Sequence, residues 1–323
     1  MLAMRTFQVL LYAASALFLS AYGDELPSQL RQPFLYKMMK EIDTLPADNF
    51  TAKPVRVTDV GAKVTPEEDS LMRRMIKHSA ATYCFDGALR LWTCKHCRAL
   101  ERVELVAVAD DLLTGGKAYV AVDHTLKTIV VAFRGSSNIR NWVMDFNIGM
   151  VDLDVGDGTK GIRVHQGFLQ YSNAIGAKII PTVRTLVSKH KNYTITITGH
   201  SLGGAVSSLS SLMLKRQLNL PWSSIKLVTF GQPRVGNEAF ANWMNSQAST
   251  HLRVVNNRDK VPHVPPYTMG YAHHHREIFL VGKTIKSCTS LELEDATCSN
   301  SRVPLLSTLD HINYLDVNFT FLC

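Results

Sequence analysis

Gly199-His200-Ser201-Leu202-Gly203 sets one serine between two glycines, and Gly204 follows. A serine hydroxyl is a weak nucleophile unless a base takes its proton and a carboxylate orients that base. The bare pentapeptide is a short pattern, but its neighbours give it meaning. Tyr193-Thr-Ile-Thr-Ile-Thr198 precedes it, all β-formers, and a helix-competent stretch begins at Ala205. Strand, tight turn and helix in that order are what a nucleophile elbow requires. Glycines on either side let the strand and helix backbones approach closely. Along the strand Tyr193, Ile195 and Ile197 should share one face and the three threonines the other. The backbone N–H of Leu202, directly after the nucleophile, is the first expected oxyanion donor.

On such a scaffold the partners follow the serine in the order carboxylate, then histidine. His251-Leu-Arg-Val-Val255 reads as a later strand, and Asp259 lies just past it. Asp259 is the candidate acid; the competing reading makes it a turn former ahead of Pro262. His263, His273, His274, His275 and His311 all come later still. His263 is so near Asp259 in sequence that the two should share a loop. The run 273–275 precedes a strand and has no further group at metal-ligand spacing, so no metal is expected. His311 lies near the end, where the last element is expected to return to the sheet. The residues alone leave the base open among these.

The elements that must position these groups follow from pattern. Thr65-Pro66-Glu67-Glu68 is a capping box with proline at the first helical position, opening a helix over 66–82. Strands are expected at 118–122, 128–133, 193–198, 225–230, 251–255 and 277–281. Helices are expected at 165–186, 201–218 and 237–248. Strands alternating with helices of this length argue for an α/β protein with a mostly parallel sheet covered on both faces. Gly156-Asp-Gly-Thr-Lys-Gly161 matches a dinucleotide-binding pattern, but a strand-like 162–164 follows where a helix should start. It reads as a turn, and no cofactor is called for.

Hydrophobic residues make up 46% and charged residues 19% of the 323, which excludes a disordered or fibrous chain. The formal charge is +8 with no basic cluster, which suits an anionic surface and gives no footprint for nucleic acid. Arg5 followed by an apolar run from Val9 to Ala21, and then Ala21-Tyr22-Gly23, reads as a signal peptide over 1–23. The run is shorter than the roughly 20 residues that span a bilayer. The protein is therefore expected to be secreted, extracellular or luminal. Residues 24–64 read as an N-terminal extension or pro-segment, and 65–323 as one catalytic domain. Six cysteines (Cys84, Cys94, Cys97, Cys288, Cys298, Cys323) agree with an oxidising compartment. Cys94 and Cys97 have no second such pair to complete a zinc site. Asn49, Asn192 and Asn318 head three glycosylation sequons.

Six blocks in order resemble the class 3, fungal-type triacylglycerol lipases. They are Val131-Ala-Phe-Arg-Gly-Ser136, His165-Gln-Gly-Phe168, Gly199-His-Ser-Leu-Gly-Gly204, Thr229-Phe-Gly-Gln-Pro-Arg-Val-Gly-Asn237, Asp259-Lys-Val-Pro-His-Val-Pro-Pro266 and Asp310-His-Ile-Asn-Tyr314. The resemblance spans about 65–323 and implies the α/β-hydrolase fold, with Ser201 as nucleophile, Asp259 as acid and His311 as base. It implies Ser136 as the second oxyanion donor. It also implies Cys84 joined to Cys323, with Cys288–Cys298 and Cys94–Cys97 as the remaining pairs. The activity implied is hydrolysis of lipid esters, triacylglycerols first, with phospholipase A1 or general carboxylesterase action as alternatives. A non-catalytic lipid-binding protein on the same scaffold is the competing class. The partner implied is a lipid ester at a lipid–water interface, met by a monomer through peripheral membrane or lipid-droplet contact.

Between the oxyanion strand and the next strand, Ile139, Trp142, Val143 and Phe146 fall on one stripe of a short amphipathic helix. By itself that is a packed surface helix. The segment starts beside Ser136, and the resembling family carries its lid there, with a tryptophan matching Trp142. The stripe is therefore expected to cover the site in water and to roll onto lipid.

Overall fold

Thr128–Phe133, Thr194–His200, Ile225–Phe230 and Thr250–Asn256 are β-branched and aromatic runs that lie almost wholly buried. In the computed structural model, which describes residues 63–136, 149–247, 250–274, 276–288 and 293–319, they pair side by side in parallel. Continuous apolar strands of this kind need cover on both faces. The signal peptide, residues 24–62, Asn49, the lid residues Ile139, Trp142, Val143 and Phe146, His275 and Cys323 lie outside the described residues.

In chain order the first strands are β1 (Val103–Asp111), β2 (Gly116–Asp123), β3 (Thr128–Phe133), β4 (Met150–Asp152) and β5 (Arg163–His165). Then come β6 (Thr194–His200), β7 (Ile225–Phe230), β8 (Gly236–Asn237), β9 (Thr250–Asn256), β10 (Tyr271–Ala272), β11 (Glu277–Val281) and β12 (Thr284–Ser287). A last pair is β13 (Asn313–Tyr314) and β14 (Val317–Asn318). The helices are α1 (Pro66–Ala81), α2 (Asp86–Arg90), α3 (Lys95–Arg98), α4 (Gln166–Lys189), α5 (Leu202–Leu218), α6 (Glu238–Asn245) and α7 (Thr308–His311).

The main sheet runs β1-β2-β3-β6-β7-β9-β11-β12, parallel from β3 through β11 and antiparallel at both margins. A smaller sheet, β10-β8-β5-β4, lies apart. Helix α1 starts at the expected capping box, with Thr65 and Glu68 exchanging hydrogen bonds of 3.0 and 3.2 Å. Its Met72, Met75 and Ile76 pack on Ala132, Val228, Phe230 and Val254. Helices α4 and α5 cover the other face, against each other and against β2, β3, β6 and β7. The threonine face of β6 looks toward α1, where Thr198 shares a hydrogen bond of 2.9 Å with Ser79. Thr196 is likewise paired with Thr128 at 2.8 Å, so the buried hydroxyls are satisfied.

Two expectations are adjusted. The last strands do not return to the sheet: β13 and β14 form a hairpin of their own. Helix α6 stops at Asn245 instead of 248, where Ser246 and Gln247 both donate to the Trp243 carbonyl. Residues 156–161 are a turn with positive φ at Gly156, Gly158 and Gly161. Cys94 joins Cys97 and Cys288 joins Cys298, while Cys84 is disulfide-bonded.

His251 on β9 is buried edge-on against Trp222 and His274, with ring centroids 6.3 and 5.6 Å away. Burial pushes its pKa down from 6.5 to about 4. Between those values the unfolded chain binds a proton that the folded protein does not, so stability falls as pH drops from 6.5 toward 4. His251→Phe should flatten this loss, which amounts to at most roughly 3 kcal/mol for such a shift. Urea unfolding at pH 7 and at pH 4.5 tests it, and equal losses in both proteins would assign the acid sensitivity elsewhere.

Candidate active site

The parallel strands all end at one edge, and the loops there carry the expected residues. Ser201 is the single residue between β6 and α5, with φ 59° and ψ −132°, a backbone region that side chains rarely enter. What holds it is contact between backbones. A Cβ added to Gly199 would lie 2.3 Å from the Gly203 carbonyl oxygen, and one on Gly203 would lie 2.3 Å from that of Phe133. The Ser201 N–H donates to the Phe230 carbonyl at 2.9 Å, so the elbow is also tied to β7.

Asp259 and His311 meet across the same edge. His311 Nδ1–H donates to the Asp259 carboxylate at 2.8 and 2.9 Å, and both residues are fully buried. That donation leaves Nε2 as the acceptor. The Val261 N–H donates to Asp259 at 2.8 Å, and the Tyr314 hydroxyl donates to its other oxygen. Burial and the neighbouring carboxylate push the Tyr314 pKa up, so it remains a neutral donor. Gly231 adopts φ +56°, and a Cβ there would come within 2.9 Å of both Asp259 and His311. Ser201 Oγ and His311 Nε2 are both buried with no hydrogen-bond partner among the described residues. A donor and an acceptor left unmade together call for an explanation, and a reacting group supplies one.

His200 secures the other side. Its Nε2–H donates to the His311 carbonyl at 2.7 Å, and its Nδ1 accepts from the Tyr83 hydroxyl at 2.9 Å. Phe319 stacks on its ring at 3.8 Å. Burial, with His311 alongside, holds the His200 pKa well below its usual range, so the ring stays neutral. Asp310 takes hydrogen bonds of 3.1 Å from the Arg258 N–H and the Asn257 amide, fixing α7 to the loop after β9.

Leu202 opens α5, where the first N–H groups have no partner within the helix. Ser136 is half-buried and follows Gly135, whose added Cβ would sit 3.1 Å from Ser201 Cβ. Both oxyanion candidates therefore border the serine. Among the described residues, two of the other candidate bases are hydrogen-bonded elsewhere. His273 donates to the Pro262 carbonyl at 2.7 Å, and His274 Nε2 lies 3.1 Å from the Gln232 amide nitrogen. His263 is pushed down to a pKa of about 4 by burial.

Reading the residues missed Tyr83, His200 and Tyr314 as supports. Tyr314 had a signal, its close spacing after His311; Tyr83 had none. It also missed the bidentate pair of Arg234 with Glu294, at 2.7 and 2.8 Å, which joins the loop after β7 to the loop before α7.

A serine elbow beside a buried Asp–His pair, on a parallel sheet flanked by helices, defines a serine ester hydrolase of the α/β-hydrolase fold. A family model described as lipase (class 3) matches residues 130–269. The Rhizomucor miehei lipase is 40% identical over 252 residues, covering 76% of this chain and 68% of that protein. Secreted mono- and diacylglycerol lipase 1 of Fusarium solani is 34% identical over 268 residues, covering 78% and 77%. A solved triacylglycerol lipase, described as having a serine protease triad as its catalytic centre, aligns with TM-score 0.74 at 38% identity, over 80% of this chain and 98% of that one. The chain belongs to the class 3 lipases and is a carboxylic ester hydrolase.

Gly203 tests the elbow without touching a reacting group. Gly203→Ala forces a methyl onto the Phe133 carbonyl, an overpacking that costs about 1–3 kcal/mol. The melting temperature should fall and ester hydrolysis should fall with it; an alanine variant as stable and as active as the wild type would contradict the close contact.

Proposed function

We propose that the protein hydrolyses acylglycerols at a lipid–water interface, triacylglycerols first, with Ser201 as nucleophile, His311 as base and Asp259 as acid. The observation that carries this is the pair of unpartnered atoms, Ser201 Oγ and His311 Nε2, beside the buried hydrogen bonds of His311 to Asp259. His311 Nε2 takes the serine proton as Oγ attacks the ester carbonyl. The N–H groups of Leu202 and Ser136 receive the charge on the oxygen. Collapse of the intermediate breaks the ester C–O bond, and His311 returns the proton to the departing glycerol oxygen. Water then repeats the sequence on the acyl-serine and releases the fatty acid. Asp259 holds the imidazole in the tautomer that accepts at Nε2.

The identity to the Fusarium protein, named a mono- and diacylglycerol lipase, supports partial glycerides as a second substrate class. Secretion is part of the reading: that relative is described as secreted, and among the described residues no helix is long and apolar enough to cross a membrane. Residues 1–23 would direct export, and 24–64 would form an extension or pro-segment. Asn192 and Asn318 are exposed and open to glycans.

Ser201→Ala and His311→Ala should each lower turnover of triolein by at least about a thousandfold, and Asp259→Asn by less. Because the residues act as one unit, the Ser201/His311 double variant should be scarcely worse than either single. Multiplying losses in the double variant would break the assignment.

Ile139, Trp142, Val143 and Phe146 fit a lid that opens on lipid. Each apolar side chain buried on opening is worth about 1.5–3 kcal/mol, enough for four to offset the closed packing. The rate on a short ester should jump once substrate passes its solubility, and Trp142→Ser should weaken the jump more than the rate on dissolved ester. A smooth curve, unchanged by the substitution, would leave the segment an ordinary packed helix.

A further inference from the structure

The edge of the sheet that carries Ser201 also carries a feature the ester chemistry does not use. Asp111 of β1 stands opposite Gly116 of β2, Ala118 opposite Phe133 of β3, and Phe133 opposite Gly199 of β6. The tip of the β1–β2 hairpin, Leu112-Leu113-Thr114-Gly115, therefore projects from the same edge as the nucleophile elbow. The Arg134 guanidinium, on the strand that leads to Ser136, donates to the Gly115 carbonyl at 2.9 Å and closes the hairpin against that strand.

Tips of this kind ordinarily hold Gly, Asn, Asp or Ser, whose local hydrogen bonds and freedom suit a turn in water. Here two consecutive leucines are 97% and 98% exposed. Phe85, 78% exposed, lies in sequence between Tyr83, which crowds Gly135, and Asp86, which pairs with Lys117 of β2 at 2.5 Å. Single exposed leucines need no explanation, but three large apolar side chains on one rim do.

The charges beneath them are cancelled. Asp86 and Asp110 each pair with both Arg90 and Lys117, and Asp111 pairs with Lys178. The hairpin base therefore presents no uncompensated carboxylate to repel a lipid surface. On the far flank of the site Leu305 and Leu309 are 67% and 70% exposed. The bridge between Ser307 and Asp259 ties that segment to the same edge. Apolar side chains thus flank the reacting groups on both sides, as a face laid flat on lipid would require.

We infer that Phe85, Leu112 and Leu113 form a fixed anchor that inserts into the surface of an acylglycerol droplet and holds the active edge against it. The anchor deepens the lipase reading and rests on it. It is held by strand pairing and ion pairs, so it is in place before any lid moves. Its leucines are fully exposed in water and lose nothing of the fold on entering lipid.

The test uses the full chain carrying Ser201→Ala, so that lipid is bound and not consumed, floated with triolein droplets. Leu112→Ser/Leu113→Ser, added to that chain, should leave the melting temperature unchanged and lower droplet partitioning by about a hundredfold, which is about 2.7 kcal/mol. With Ser201 restored, the double variant should keep its kcat/KM on dissolved p-nitrophenyl butyrate. Partitioning equal to that of the Ser201→Ala parent overturns the anchor. So does a wild-type dimer in sedimentation that the double variant dissolves, since the leucines would then join two copies of the chain. Droplet binding that depends on the leucines, in a wild type unable to cleave triolein, would remove the lipase reading and leave the anchor standing.

Discussion

The site depends on one residue kept in a backbone conformation that side chains avoid. Ser201 stands at φ 59° because strand β6 must turn into helix α5 with no loop between them. Nothing about serine favours that geometry, and strain of this kind costs of order 1–3 kcal/mol. It persists because Gly199, Gly203 and Phe133 bring three stretches of backbone into contact where no Cβ fits. The sheet behind them supplies the stiffness. Its central strands are buried on both faces, and α1, α4 and α5 hold them there.

The second requirement is a pair of loops that bring Asp259 and His311 together. Each comes from a different part of the chain, and each is fixed by hydrogen bonds that the reaction does not use. Asp310 anchors α7 on the loop after β9, and Arg234 with Glu294 secures the segment before it. His200 then links the His311 main chain to Tyr83, whose hydroxyl crowds Gly135 after β3. Asp259, His311, His200 and Tyr83 are thus joined through one buried polar network. Buried networks of this sort rigidify a site when every member is satisfied. Ser201 Oγ and His311 Nε2 lie beside this network without a partner among the described residues, and they are the atoms the proposed reaction uses.

Much of this was legible in the residues, for physical reasons that differ by element. The elbow was readable because glycines and β-formers meet a helix start at one serine. Helix α1 was readable because its capping box is local chemistry. The continuous apolar runs of β3, β7 and β11 mark their ends to the residue. Strand β1 carries no such signal: it is a half-exposed edge strand with charged residues, and its pairing rests on contacts with β2. The short helices α2 and α3 and the two-residue strands β8 and β10 have too few residues for any period to show. The base was a different matter. Periodicity could not choose His311 over four other histidines; family resemblance did, and the geometry pairs that histidine with Asp259. Tyr83 and His200 act through hydrogen bonds between residues more than a hundred positions apart, which no local pattern carries.

On the proposed mechanism the fold makes Ser201 alone nucleophilic among the hydroxyls of this chain. Treating the native enzyme with a fluorophosphonate and mapping the adduct by peptide mass spectrometry tests that directly. One phosphonyl group is expected, on Ser201, abolished in Ser201→Ala and strongly slowed in His311→Ala. An adduct on another residue, or labelling of Ser201 that proceeds at full rate without His311, would contradict it.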